Sequence, residues 1–159
     1  MADLLRTTPA APNAPPAAHR PSRRWGSFPT TADVGIWARG ETAAELLEAL
    51  GLGLYALMTD LRSVRPREER AVSASGEDAV SLVVAYLTEL LLLKETDGFI
   101  GREIRVRPIG DPPTALVASV AGEPFDPARH AARADVKAIT LHELVFDPTR
   151  HRARVIVDI

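Results

Sequence analysis

Residues 79–94, AVSLVVAYLTELLLLK, constrain this chain more than any other stretch. Leu82, Val83, Tyr86, Leu87, Leu90 and Leu91 make a helix apolar around most of its circumference, so other elements must cover it on most sides. Thr88 and Glu89 interrupt the run, which is shorter than the ~20 residues a membrane span needs. The helix therefore belongs at the centre of a soluble fold. Ser75 and Asp78 form a capping signature ahead of it. Gly98 supplies its C-terminal stop, with Lys94 in the final turn.

A second helix is predicted in ETAAELLEALGLGLYALMTD. Thr42 followed by Glu45 is a capping box, and Leu46, Leu50, Leu54, Leu57 and Met58 share one face. Gly51 and Gly53 lower helix propensity but permit close packing against a sheet. The remainder is strand-like. DVGIWAR (33–39) reads as a first strand, and about Arg70 to Ala74 as a short second one. IGREIRVRPI alternates apolar and basic residues, as a half-exposed strand does. Asp111-Pro112-Pro113 marks a turn into TALVASVAG. Glu123-Pro124 interrupts and DPARH makes a loop, before the long strand VKAITLHELVF. Asp147-Pro148-Thr149 turns the chain into the last strand, HRARVIVDI. The order is β-α-β-α and then four strands. It predicts an α+β fold, a two-layer sandwich with two helices packed on one mainly antiparallel sheet.

The 159 residues suit one domain. Residues 1–25, rich in Pro and Ala, cannot bury enough apolar surface to offset ordering and read as a disordered tail, leaving 26–159 as the domain. No apolar stretch resembling a secretory signal is present, and the proline spacing opposes an amphipathic transit helix. A formal net charge of −2 gives no global electrostatic case for nucleic acid or an anionic membrane as main partner. Cysteine is absent, which excludes disulfides and thiolate chemistry and suits a cytoplasmic setting.

No familiar enzyme site is visible. His19, His130, His142 and His151 are scattered, and HExxH, a phosphate loop and GxSxG are all lacking. The notable pattern is ARVIVDI, a strong β-run at the end of the sequence. A terminal residue held in a sheet fixes its α-carboxylate, Asp158 sets a second carboxylate beside it, and Asp33 adds a third if the first strand pairs there. Two readings stand. These are solvated acids at strand ends, or they are hard oxygen ligands for a cation such as Ca²⁺ or Mg²⁺, which would relieve their mutual repulsion.

Several segments together resemble the archease family, small proteins that assist the GTP-dependent RNA ligase RtcB in tRNA splicing and RNA repair. TADVGIWARG resembles the family's opening signature, ETAAELLEALGLGLYALMTD its first helix, and SGEDAVSLVVAYLTELLLLKETDGF its second. AGEPFDPARHAARADVKAITLHELVF resembles the region holding its Gly-Glu-Pro turn and Lys-Ala-x-Thr strand, and VIVDI its terminus. The likeness runs in order from about residue 28 to 159. Two departures are Thr30, where the family usually has His before Thr-Ala-Asp, and Leu141-His142, where it tends to have Tyr-His.

The resemblance implies a divalent cation, typically Ca²⁺ with Mg²⁺ or Mn²⁺ as alternatives, held by Asp33, Asp158 and the carboxylate of Ile159. It also singles out Lys137, either a strand-surface lysine or a cation facing the ligase, its nucleotide or the acidic cluster. The implied role is that of a cytoplasmic accessory protein without turnover of its own, promoting guanylylation and repeated ligation by an RtcB-type ligase. The alternative role is a chaperone-like module for an RNA-modifying enzyme such as a tRNA methyltransferase. An independent phosphohydrolase would need a general base or second metal, and the sequence offers neither.

Overall fold

The computed structural model describes residues 24–159. The predicted tail thus lies outside the described residues up to position 23, whereas Trp25 already belongs to a strand. Seven strands and two helices follow one another: β1 (Trp25–Pro29), β2 (Val34–Arg39), α1 (Ala43–Met58), β3 (Glu68–Ser75), α2 (Ala79–Asp97), β4 (Phe99–Gly110), β5 (Pro113–Pro124), β6 (Ala138–Asp147) and β7 (Arg152–Asp158). Short 3-10 turns at Leu61–Ser63 and Pro148–Arg150 complete the described chain.

The α+β class holds, with one refinement. The strands form two sheets, one ordered β1-β2-β7-β6 and the other β3-β5-β4. Every pairing is antiparallel. α2 fills the centre as its apolar circumference requires, packing against β3, β4, β5, β6 and α1. Its residues Leu82, Val83, Tyr86, Leu87 and Leu90 are wholly buried.

The helix ends follow local chemistry. At α1 the Glu45 N–H donates to Thr42 Oγ1 at 3.1 Å, while the Glu45 carboxylate accepts from the Glu41 N–H rather than from the cap itself. At α2 the capping box is Asp78 with Ser81, not Ser75 with Asp78. Ser75 is the last residue of β3, so its side chain is too early to reach the first turn. Gly98 stops α2 at φ +63°, in the left-handed region that costs glycine little.

One further departure concerns β5. Glu123-Pro124 does not interrupt its strand, because β5 runs through to Pro124 with Glu123 opposite Ile100. Beside it, a Cβ on Gly122 would run into the carbonyl oxygen of Ile100, which belongs to the neighbouring strand's main chain. Gly122→Ala is therefore expected to cost about 3 kcal/mol, since a sheet backbone cannot step aside as a side chain can. The denaturant midpoint measures it, and an unshifted midpoint would contradict this packing.

Candidate functional site

Antiparallel pairing of β2 with β7 decides where the acids lie. Val34 stands opposite Val157, so Asp33 just before β2 and Asp158 at the end of β7 occupy the same end of adjacent central strands. On the other side of β7, Ala138 stands opposite Asp158, and the Lys137 N–H donates to the Asp158 carbonyl at 2.8 Å. Four singled-out residues, Asp33, Lys137, Asp158 and Ile159, therefore gather at one end of the four-stranded sheet. Lys137 falls one residue before β6 rather than within it, and its side chain is exposed.

Thr30 builds the turn leading into this end. Its hydroxyl accepts the Asp33 N–H at 3.0 Å, and its own N–H donates to the Asp33 carbonyl at 3.1 Å. The residue at the usual histidine position thus fixes the backbone that carries Asp33, which is half-buried. Asp33 and Asp158 enter none of the ion pairs among the described residues. Among those residues no group of three His, Asp or Glu side chains is gathered as a metal site. The predicted set contains only two such side chains, and its third donor is the main-chain carboxylate of Ile159. As chemistry the set fits a hard cation: anionic oxygen donors, with no ammonium or guanidinium of the described residues paired with them.

A second cluster escaped the sequence reading. Glu123, only 4% exposed, receives both guanidinium nitrogens of Arg129, at 2.7 and 3.1 Å, and the backbone N–H of Arg65. Arg129 also donates to the Ser63 carbonyl at 3.2 Å. The Arg129 hydrogen bonds hold the Glu123 carboxyl at about 2, well below the usual range, helped by the Arg65 N–H and by nearby positive charge, while burial opposes them. His130 is wholly buried; its Nδ1 accepts the Asp126 N–H at 2.8 Å, and its Nε2 lies 3.7 Å from Glu123, beyond hydrogen-bond range.

This cluster pins the start of the long loop between β5 and β6. The loop's far half covers the C-terminal carbonyls of α1, with Arg133 N–H to Met58 and Ala134 N–H to Leu57, both at 2.9 Å. Thr59, fully buried, donates its hydroxyl to the Ala131 carbonyl at 2.9 Å. The loop is thereby held at both ends before it delivers Lys137 to the acidic end.

The model of the Archease protein family matches residues 25–159. The chain belongs to the archease family. It is 39% identical over 123 residues to protein archease of Thermococcus gammatolerans, covering 77% of this chain and 87% of that protein. With protein archease of Methanothermobacter thermautotrophicus it shares 35% over 135 residues, 83% and 96% of the two chains. The solution structure of Methanobacterium thermoautotrophicum protein 1598 superposes with a TM-score of 0.68 at 31% identity, covering 86% of this chain and 99% of that one. The family match starts at Trp25, the first residue of β1 and within the predicted tail. Among the described residues no helix is long and apolar enough to cross a membrane.

Proposed function

We propose that this archease-family chain is an accessory protein that activates a GTP-dependent RtcB-type RNA ligase, promoting guanylylation and multiple turnover in tRNA splicing or RNA repair. The family resemblance supplies the partner class. The observation that carries the reading is the β2–β7 register, which sets Asp33 beside Asp158 and the end of the chain.

In this reading Asp33, Asp158 and the Ile159 carboxylate hold a divalent cation, Ca²⁺ or else Mg²⁺ or Mn²⁺. Such an ion neutralises phosphate charge while phosphoryl transfer is set up. The chain's own part is positional. Thr30 fixes the Asp33 backbone, and Lys137 holds the Asp158 main chain, its exposed side chain suited to a nucleotide or to the ligase. Two side chains and one main-chain carboxylate leave coordination positions open to partner oxygens, which favours exchange over a permanent structural ion.

The purified chain is expected to ligate no RNA alone, and substoichiometric amounts are expected to accelerate a cognate RtcB-type ligase. Asp33→Ala is expected to remove at least about nine-tenths of that stimulation, as loss of an anionic ligand should. Measuring labelled GMP on the ligase distinguishes the outcomes. Equal stimulation by Asp33→Ala and wild type overturns the acidic end as the active feature; it is also what a chaperone for an RNA-modifying enzyme would give.

A further inference from the structure

The outer face of the four-stranded sheet carries a feature unrelated to the acidic end. Trp37 and Arg39 of β2 stand directly opposite Arg154 and Arg152 of β7, on the side away from buried Ile36, Ala38, Ala153 and Val155. These side chains and Val145 of β6 line a groove of about 350 Å³. The Trp37 ring lies against Gly26 of β1, and the Phe28 ring against Gly35 of β2; a Cβ at either glycine would collide with the ring. The sheet therefore holds two aromatic rings close to its surface, and both remain half-buried rather than covered.

The lining of the groove carries three arginines and no acid. The Arg39 guanidinium sits 5.3 Å from the Trp37 ring centroid. Arg39 and Arg152 are exposed and enter none of the ion pairs among the described residues. Arg154 donates to the Glu143 carbonyl at 3.3 Å and reaches the Glu143 carboxylate only at 3.9 Å. Asp147, which stands opposite Arg152, accepts the Arg150 N–H and lies 3.7 Å from that residue's guanidinium.

A half-exposed aromatic ring framed by guanidinium groups, with the exposed Arg39 side chain over it for a base to displace, is what a single-stranded nucleic acid needs: a surface on which a base stacks, and cations for the phosphates on either side. An acidic protein would use the arginines but not the ring, and a duplex keeps its base faces inside the stack. We propose that this face is a stacking platform for single-stranded nucleic acid, with Trp37 taking a base and Arg39, Arg152 and Arg154 the flanking phosphates. The net charge conceals it because the basic residues come from segments more than 110 positions apart and meet only through strand pairing.

Fluorescence anisotropy of the full chain with a labelled 12-nucleotide single strand tests this, using RNA and DNA of one sequence at rising salt. The expected result is binding that weakens with salt. Trp37→Ala should lose about tenfold or more, with Trp37→Phe retaining part of it. Arg39→Glu with Arg152→Glu, both exposed and so tolerable to folding, should lose more and flatten the salt dependence. Asp33→Ala should bind like wild type, which separates this platform from ligase activation. Four results would overturn the proposal: no binding at 50 mM salt; binding that survives both the tryptophan and the double-arginine changes; equal affinity for duplex or for polyglutamate; or loss of binding in Asp33→Ala.

Discussion

Arg129→Met is expected to lower the melting temperature by on the order of 10 °C at neutral pH, and by much less near pH 3. The substitution keeps the aliphatic stem but leaves the buried Glu123 carboxylate without the two hydrogen bonds that compensate its desolvation. In the folded wild type this carboxyl is held at about 2, below its ordinary 4.5. A depressed carboxyl contributes stability that is complete above its unfolded value and is lost as pH falls from about 4.5 toward about 2. Wild type should therefore lose stability across that window. The variant, whose Glu123 gains from protonation, should lose less, so the two melting curves converge in acid. Asp60, also held at about 2 by Arg62 but more exposed, leaves a residual slope in both proteins. Scanning calorimetry at pH 7, 5, 4 and 3 reads the effect. Parallel curves at all four values would show that Glu123 and Arg129 are not the dominant acid-labile pair.

That cluster also marks the boundary of what the sequence could yield. Glu123, Arg129 and His130 stand within eight positions of one another, yet they read as a strand break and a loop. Their meaning comes from Arg65 and Ser63, some sixty residues upstream, which the fold brings to the same place. The one local hint was an acid directly after Gly122 in an otherwise apolar strand. The helices were legible because capping and periodicity act within a few residues, as at Thr42–Glu45 and around Gly98. β1 has no strand signal of its own because WGSFP sets two strand-favouring aromatics among Gly, Ser and Pro; what places it is the fit of Trp37 against Gly26 and of Phe28 against Gly35. The division into two sheets was also hidden. Strand patterns show individual strands and their exposed faces, whereas β3 finds β5 only across α2 and the whole of β4. The adjacency of Asp33 and Asp158 was an expectation from the terminal β-run and the family likeness, and the β2–β7 register places both residues at one end of the sheet.

The same register makes the two ends of the described chain unequal, and this gives the sharpest test of the proposed cation site. Appending residues after Ile159 turns its carboxylate into an amide, removing one anionic donor and obstructing the approach of the other two. Cation affinity is expected to fall at least about 100-fold, since even disturbing the groups that support a ligand costs up to that much. Stimulation of the ligase should fall with it. An N-terminal extension should change neither. β1 runs antiparallel to β2, with Pro29 opposite Val34 at the acidic end and Trp25 opposite Ala38, so the chain enters β1 about 14 Å from that end. Titration calorimetry with Ca²⁺ and with Mn²⁺ on the two tagged forms and the untagged chain separates the cases. Asp158→Asn serves as a control that removes charge without adding bulk. Should the C-terminally extended protein bind either ion as tightly as the untagged one, the Ile159 carboxylate is no ligand, and Asp33 and Asp158 would have to act on the ligase as bare acids.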